Sequence, residues 1–271
     1  MTNPSPFTAT TADGAVLQAS REGSGPALML LSGLGGTAGF WAQSAAALAA
    51  SCEVIRFDQR GIGSSTRGTA ACNIAQLARD VLAVLDGARL ERCTLLGHST
   101  GGCIGQSVAA QAPDRLSGLI LSATWLRPSR YMTGLFRTRR AMLEQDPEGY
   151  AAMGAILAFA PEWLEANWTH YEAAVARAPA TAAEREVVRE RIDALMAFDG
   201  SASVSAVATL PTLVVGAADD MIVPAFLQRD LAAALPGSEL VLLEGGGHFF
   251  PISRTADFTA CVARWLADGQ R

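Results

Sequence analysis

Metal ligands are scarce in this chain. Its 271 residues include three histidines and five cysteines, none grouped with ligand spacing, so no metal site and no cofactor is expected. The cysteines are Cys52, Cys72, Cys93, Cys103 and Cys261. Their number is odd and no C-x-x-C pair occurs, which reads as reduced thiols of a cytoplasmic protein and not as a disulfide frame. Positive charge is also short. Lys plus Arg total 21 against 26 Asp plus Glu, a net charge of −5, and no basic run stands out. That composition argues against a nucleic-acid partner or a membrane surface. No apolar run reaches the roughly 20 residues of a membrane helix. The opening, Met1-Thr2-Asn3-Pro4-Ser5-Pro6, lacks the basic and apolar regions of a signal peptide. Internal repeats and low-complexity linkers are missing too.

What is present is a strand–helix rhythm. Half of the residues are hydrophobic, enough for one large α/β core. Residues 7–24 read as a hairpin around the two-residue turn Asp13-Gly14. Buried strands are expected at Ala27–Leu31, Cys52–Phe57, Cys93–Leu96, Leu119–Leu121, Pro211–Val215 and Leu240–Leu243. Helices are expected after Phe40-Trp41, over residues 73–87, after residue 100, near 225–235 and near 255–267. Alternation of this kind implies a mostly parallel central sheet with right-handed crossovers and helices on both faces. The rhythm breaks over 127–205, which shows helical patterns and no convincing strand. The reading is a core of residues 1–126 and 206–271, with 127–205 inserted as a helical lid. The mixed charges Glu184-Arg185-Glu186 through Arg189-Glu190-Arg191 read as a solvated helix face, as do Arg130, Arg137, Arg139 and Arg140.

The chemistry centres on Gly97-His98-Ser99-Thr100-Gly101. A Gly-x-Ser-x-Gly pattern is weak alone. Here an apolar strand leads into it and a small-residue helix leads out. The serine therefore caps a tight, strained strand-to-helix turn, with its hydroxyl pushed into the open. A serine hydroxyl needs a base to become a nucleophile. His248, in Gly245-Gly246-Gly247-His248, follows the 240–243 strand and is the candidate. His98 sits inside the turn and points away, and His170 belongs to the lid. The base needs an acid to fix its tautomer. Asp219 and Asp220 follow the 212–216 strand, and Asp220 is favoured because Pro224 stands four residues later, opening a helix. Asp219 is then a turn or cap residue. The order Ser99, Asp220, His248 fits a triad. A tetrahedral intermediate needs backbone N–H donors; the candidates are Thr100 and, from the loop Ser32-Gly33-Leu34-Gly35-Gly36, Leu34.

Together these motifs resemble the α/β-hydrolase superfamily across nearly the whole chain, with Asp58-Gln59-Arg60-Gly61-Ile62-Gly63-Ser64 as a further landmark without a direct chemical role. At finer grain the chain is similar to the aminoacrylate or carbamate hydrolases of pyrimidine catabolism. Ser32–Gly36, Asp58–Gly61, Trp125-Leu126-Arg127, Pro161-Glu162-Trp163, Ala218-Asp219-Asp220 and Gly246-Gly247-His248 carry that likeness. More loosely it is similar to 3-oxoadipate enol-lactonases. Ser32 replaces the histidine of the commoner His-Gly loop.

The resemblance implies an α/β-hydrolase fold and a cofactor-free serine hydrolase acting on a small carboxylic ester or lactone through an acyl-enzyme. The alternatives are C–N hydrolysis of the aminoacrylate or carbamate type, and a slow-turnover ligand-binding protein on the same fold. Trp125 and Arg127 emerge at the carboxyl edge of the sheet, where ligands of open α/β sheets bind. Trp125 is expected as a flat wall and Arg127 as a fork for a substrate carboxylate; the alternative for Arg127 is an ion pair with a lid carboxylate. Oligomeric state is left open.

Overall fold

The computed structural model describes residues 4–268. Met1-Thr2-Asn3, part of the stretch read above for a targeting signal, and residues 269–271 lie outside them. Eight strands form one sheet: β1 (Ser5–Thr10), β2 (Val16–Gly23), β3 (Ala27–Leu31), β4 (Glu53–Phe57), β5 (Cys93–His98), β6 (Leu116–Ser122), β7 (Thr212–Ala217) and β8 (Glu239–Leu243). Their spatial order is β1-β2-β4-β3-β5-β6-β7-β8. β2 pairs antiparallel with both β1 and β4, and every pairing from β4 to β8 is parallel. The hairpin loop is longer than the two-residue turn expected. Thr10 pairs with Val16, leaving five residues between the strands, and Gly14 takes the positive φ of 82°.

The core helices before the insertion are α1 (Ala42–Leu48), α2 (Ile74–Gly87) and α3 (Thr100–Gln111). Between β6 and β7 run α4 (Arg130–Gln145), α5 (Pro147–Ala158), α6 (Pro161–Ala166), α7 (Thr169–Ala176), α8 (Ala182–Met196) and α9 (Val204–Val207), with no strand among them. α10 (Ala225–Ala234), α11 (Phe250–Ser253) and α12 (Thr255–Asp268) complete the chain. Helix starts follow local chemistry. The Asn73 side chain accepts from the Gln76 N–H at α2, and Thr181 with Glu184 closes a capping box at α8, satisfying otherwise orphaned donors.

The central strands are buried on both faces, and alternate residues feed separate cores. Met29, Leu31, Leu95, Leu119, Leu121 and Val214 pack with α2, α3 and the insertion. Leu28, Leu30, Leu96, Ile120, Leu213 and Val215 pack with Trp41, Ala45 and Leu48 of the α1 side and with Phe258 and Val262 of α12. The two-residue period of a strand produces this division. Gly97 and Gly101 let β5 and α3 meet: a Cβ on Gly97 would lie 2.2 Å from the Gly101 carbonyl oxygen, and one on Gly101 would lie 2.4 Å from that of Leu31.

The chain contains no lysine; all its 21 cations are arginines. Arg60, in the loop after β4, is fully enclosed. Its Nε donates to Asp80 at 2.6 Å and its Nη1 to Asp13 at 2.9 Å. The bonds from Arg60, with one from Thr11, hold the Asp13 carboxyl well below the usual carboxylate range. Pairing of this kind offsets the cost of taking a guanidinium out of water. The result pins the hairpin loop, α2 and the Asp58–Ser64 loop to one another.

Candidate active site

Because β3 and β5 to β8 are parallel, the loops that leave their carboxyl ends collect along one edge of the sheet. Ser99 stands there between β5 and α3 with φ 56° and ψ −122°. A non-glycine residue in that region stores about 1–3 kcal/mol, tolerated only where the surroundings force it. The forcing bonds are visible: the Ser99 N–H donates to the Ser122 carbonyl at 2.8 Å, and the Gly102 N–H donates to the Ser99 carbonyl at 2.9 Å. Ser99 is 6% exposed.

Asp220 and His248 are brought together by the loops after β7 and β8. His248 Nδ1 lies 2.8 Å from Asp220 Oδ2, with both residues buried. The other Asp220 oxygen accepts the N–H groups of Ile222 and Val223, each at 2.8 Å. A carboxylate oxygen facing His248 Nδ1 suits the tautomer in which Nδ1–H donates and Nε2 carries the free lone pair. Asp219 does different work. Its oxygens accept from the Gly246 N–H at 3.0 Å and the Gly247 N–H at 2.9 Å, bracing the loop that delivers His248. Both of those glycines have positive φ.

His98 is not an alternative base. It is wholly buried, its Nδ1 lies 3.0 Å from Ser122 Oγ, and its Nε2 has no partner. Burial, reinforced by His248 with its ring 4.8 Å away, pushes its pKa well below the ordinary histidine value. It remains a neutral packing group, stacked on Phe40. His170 packs near Trp163 and Phe159 in the insertion.

The Ser32–Gly36 loop passes directly over the serine. A Cβ on Gly33 would lie 3.1 Å from Ser99 Cβ, so only glycine fits without pressing on the Ser99 side chain. Ser32 is buried and donates its hydroxyl to the Thr37 carbonyl at 2.9 Å. Among the described residues neither the Leu34 nor the Thr100 N–H has an internal acceptor. The Thr100 N–H is free because it opens α3.

Arg191 is the residue missed by reading the sequence. The mixed-charge stretch of α8 is not solvated throughout: Arg191 is 1% exposed. Its Nε donates to the Leu34 carbonyl at 2.7 Å, and its Nη2 donates to Gln59 Oε1. Gln59 in turn donates to the Ser32 carbonyl at 2.7 Å. The insertion thus grips the backbone of the loop above Ser99. Burial lowers the Arg191 pKa from its ordinary value, and Nη1 has no hydrogen-bond partner. Next to it, Glu190 takes two bonds from Arg67, at 2.9 and 2.7 Å. A signal for Arg191 existed: Val188, Arg191, Ile192 and Leu195 share the i, i+3, i+4, i+7 spacing of an apolar stripe.

The two expected substrate contacts stand elsewhere. Trp125 is 0% exposed and offers no face for a substrate to touch. Arg127 is at the surface, its side chain 63% exposed, ion-paired with Asp199 at 3.4 Å and donating to Ser201 at 2.8 Å. The lid-carboxylate alternative describes its surroundings, because an exposed arginine beside an acid on the insertion pairs with it. Arg139 was also expected to be solvated and is instead 8% exposed.

The family profile described as the alpha/beta hydrolase fold matches residues 26–255. A protein of Variovorax paradoxus (strain S110), provisionally named carbamate hydrolase RutD, is 37% identical over 246 residues, covering 90% of this chain and 92% of that protein. A crystal structure of a hydrolase from Pseudomonas aeruginosa PA01 superposes with a TM-score of 0.83 at 30% identity, over 97% of this chain and 98% of that one. The enol-lactonase of Burkholderia xenovorans LB400 shares the fold, with a TM-score of 0.86 at 24% identity over 96% of this chain and all of that one.

Proposed function

Starting from the fact that this chain belongs to the α/β-hydrolase fold family, we propose that it is a serine hydrolase cleaving small carboxylic esters or lactones through an acyl-enzyme on Ser99. The observation that carries this reading is the buried His248–Asp220 pair at 2.8 Å, whose acid has its second oxygen occupied by backbone donors. The pair fixes the tautomer that leaves His248 Nε2 basic. In the proposed reaction Nε2 takes the Ser99 proton as Oγ adds to the substrate carbonyl. The Leu34 and Thr100 N–H groups receive the developing oxyanion; that both lack internal acceptors supports this assignment. His248 then returns the proton to the leaving group, and water repeats the sequence to release the acid. The helices of 127–205 act as the lid that limits substrate size, with Arg191 as the contact joining them to the oxyanion loop.

A second reading is favoured by the relatives named for carbamate hydrolysis. A carbamate offers the same trigonal carbonyl to Ser99 and differs in its leaving group, so the same residues serve it. A substrate panel separates the two. Steady turnover of p-nitrophenyl acetate and short lactones, without ammonia release from small carbamates, supports the ester reading. Ammonia release at a higher kcat/KM replaces it with the carbamate reading. Inactivity on all of them overturns both.

A further inference from the structure

The stretch Asp58-Gln59-Arg60-Gly61-Ile62-Gly63-Ser64 lies outside the catalytic set, yet its side chains run to the loop above Ser99. That loop, Ser32-Gly33-Leu34-Gly35-Gly36, holds three glycines in five residues. Glycine-rich backbone is the most costly to order, while an oxyanion donor works only if it is held in place before the charge develops. Among the described residues the loop's local bonds are few. The Gly36 N–H reaches the Gly33 carbonyl at 3.4 Å, and the Ser32 hydroxyl donates to the Thr37 carbonyl at 2.9 Å. The rest of the hold comes from outside.

Gln59 is 2% exposed. Its Nε2 donates to the Ser32 carbonyl at 2.7 Å, and its Oε1 accepts from Arg191 Nη2. A guanidinium can only donate and a carbonyl can only accept, so one orientation of the amide satisfies both. Arg191 Nε in turn donates to the Leu34 carbonyl at 2.7 Å. The Leu34 N–H belongs to the peptide between Gly33 and Leu34. The peptide before it carries the Ser32 carbonyl and the peptide after it the Leu34 carbonyl. Both neighbours of the donor peptide are therefore gripped, by two side chains bonded to each other.

Asp58 holds the exit of the loop: its Oδ1 accepts the Ala38 N–H at 2.8 Å and its Oδ2 the Ser64 N–H at 3.1 Å. Gly63 makes room for it, since a Cβ there would lie 2.3 Å from Asp58 Oδ2. Arg60 ties the same turn to Asp80 and Asp13. Three consecutive side chains divide the work: exit, entry and anchor.

We propose that Gln59 is a positioning residue of the oxyanion hole, aiming the Leu34 N–H through its bond to the Ser32 carbonyl. The proposal rests on the acyl-enzyme reading, in which that N–H is a donor. Gln59 acts through the backbone and takes no part in proton transfer.

The test compares Gln59→Glu and Gln59→Met in the full chain, by steady-state kinetics on p-nitrophenyl acetate and by affinity for phenylboronic acid, which forms a tetrahedral adduct on a serine. A glutamate keeps an acceptor for Arg191 and loses the donor to Ser32; a methionine of similar length loses both. Both variants should lower kcat about tenfold to a hundredfold, the range of a mis-aimed group and below the 10²–10³ for deleting a donor. KM should stay within about threefold, and boronate affinity should fall in step with kcat. Gln59→Glu, with a partner left for Arg191, decides the matter where Gln59→Met folds poorly. Asn73→Ala removes the α2 cap and should lower the melting temperature while leaving kcat within about twofold. Wild-type kcat in Gln59→Glu, a loss in KM alone, boronate affinity unmoved beside a lower kcat, or an equal loss of kcat in Asn73→Ala would each overturn the proposal. A wild-type chain that turns over no ester and takes no phosphonate at Ser99 overturns the acyl-enzyme reading and this proposal with it. A wild type that does both, beside an unaffected Gln59→Glu, overturns this proposal alone.

Discussion

At the carboxyl edge of the sheet, the two acids are matched to donors: buried Asp220 to His248 and to the Ile222 and Val223 amides, and exposed Asp219 to Gly246 and Gly247. In the helical insertion, Arg139 and Arg191 are buried, neither forms an ion pair with a carboxylate among the described residues, and each keeps an unpartnered nitrogen. Satisfied hydrogen bonds of this kind hold polar side chains in fixed positions. Unpaired buried cations are a cost that a folded chain carries only when something offsets it. For Arg191 the visible offset is its hold on Leu34 and Gln59; for Arg139 the structure supplies aromatic faces.

The sharpest way to break the comparison lies in the two neighbouring aspartates. Asp220→Asn should lower kcat by roughly 10³–10⁴, because an amide donates where His248 needs an acceptor. Asp219→Asn keeps one acceptor oxygen for the glycine loop and should cost less than about tenfold. Steady-state kinetics on one chromogenic ester decides it; a larger loss at Asp219 would reverse the assignment.

A smaller effect separates the two grips of α8 on the core. Arg191→Gln should reduce kcat about tenfold to a hundredfold with KM little moved, less than the 10²–10³ for deleting an oxyanion donor outright. It should weaken a tetrahedral boronate inhibitor in parallel. Arg67→Gln removes the exposed-side pair with Glu190 and should cost under about threefold. Equal losses in both variants would make Arg191 a tether and nothing more.

The smallest effect is expected at Arg127. Its surface pair with Asp199 is screened by water and holds little, so Arg127→Ala should leave KM for acidic and neutral esters alike within about twofold. A selective rise for the acidic substrate would restore the substrate role that its position first suggested.

The same contrast explains what could be read from sequence. The elbow, the loop over it and the parallel order of strands are written in contiguous residues. Gly97, Ser99 and Gly101 impose a local backbone, and apolar runs such as Leu28–Leu31 and Leu213–Val215 can only be inner strands. Asp220 is favoured over Asp219 on sequence because Pro224 marks where α10 begins. The insertion is different. Its helices were legible, but the fates of Arg127, Arg139 and Arg191 depend on which helix face meets which neighbour. Met132, Phe136, Arg139 and Leu143 form one buried stripe of α4, as Arg191 and Ile192 do on α8. An arginine inside an apolar stripe is the signal for a buried cation, and charge counting along the chain conceals it. Trp125 was misplaced for a related reason. Its location at the carboxyl edge is right, but its side chain turns into the core.

The most direct measurement of the central claim is intact-mass analysis after treatment with a serine-directed phosphonate, on the wild-type chain and on Ser99→Ala. The account predicts one adduct, mapped to Ser99, forming in step with loss of esterase activity. It also predicts no adduct on the alanine variant, whose kcat falls by about 10⁴ or more. An adduct at another residue, or near-normal turnover by Ser99→Ala, would contradict it.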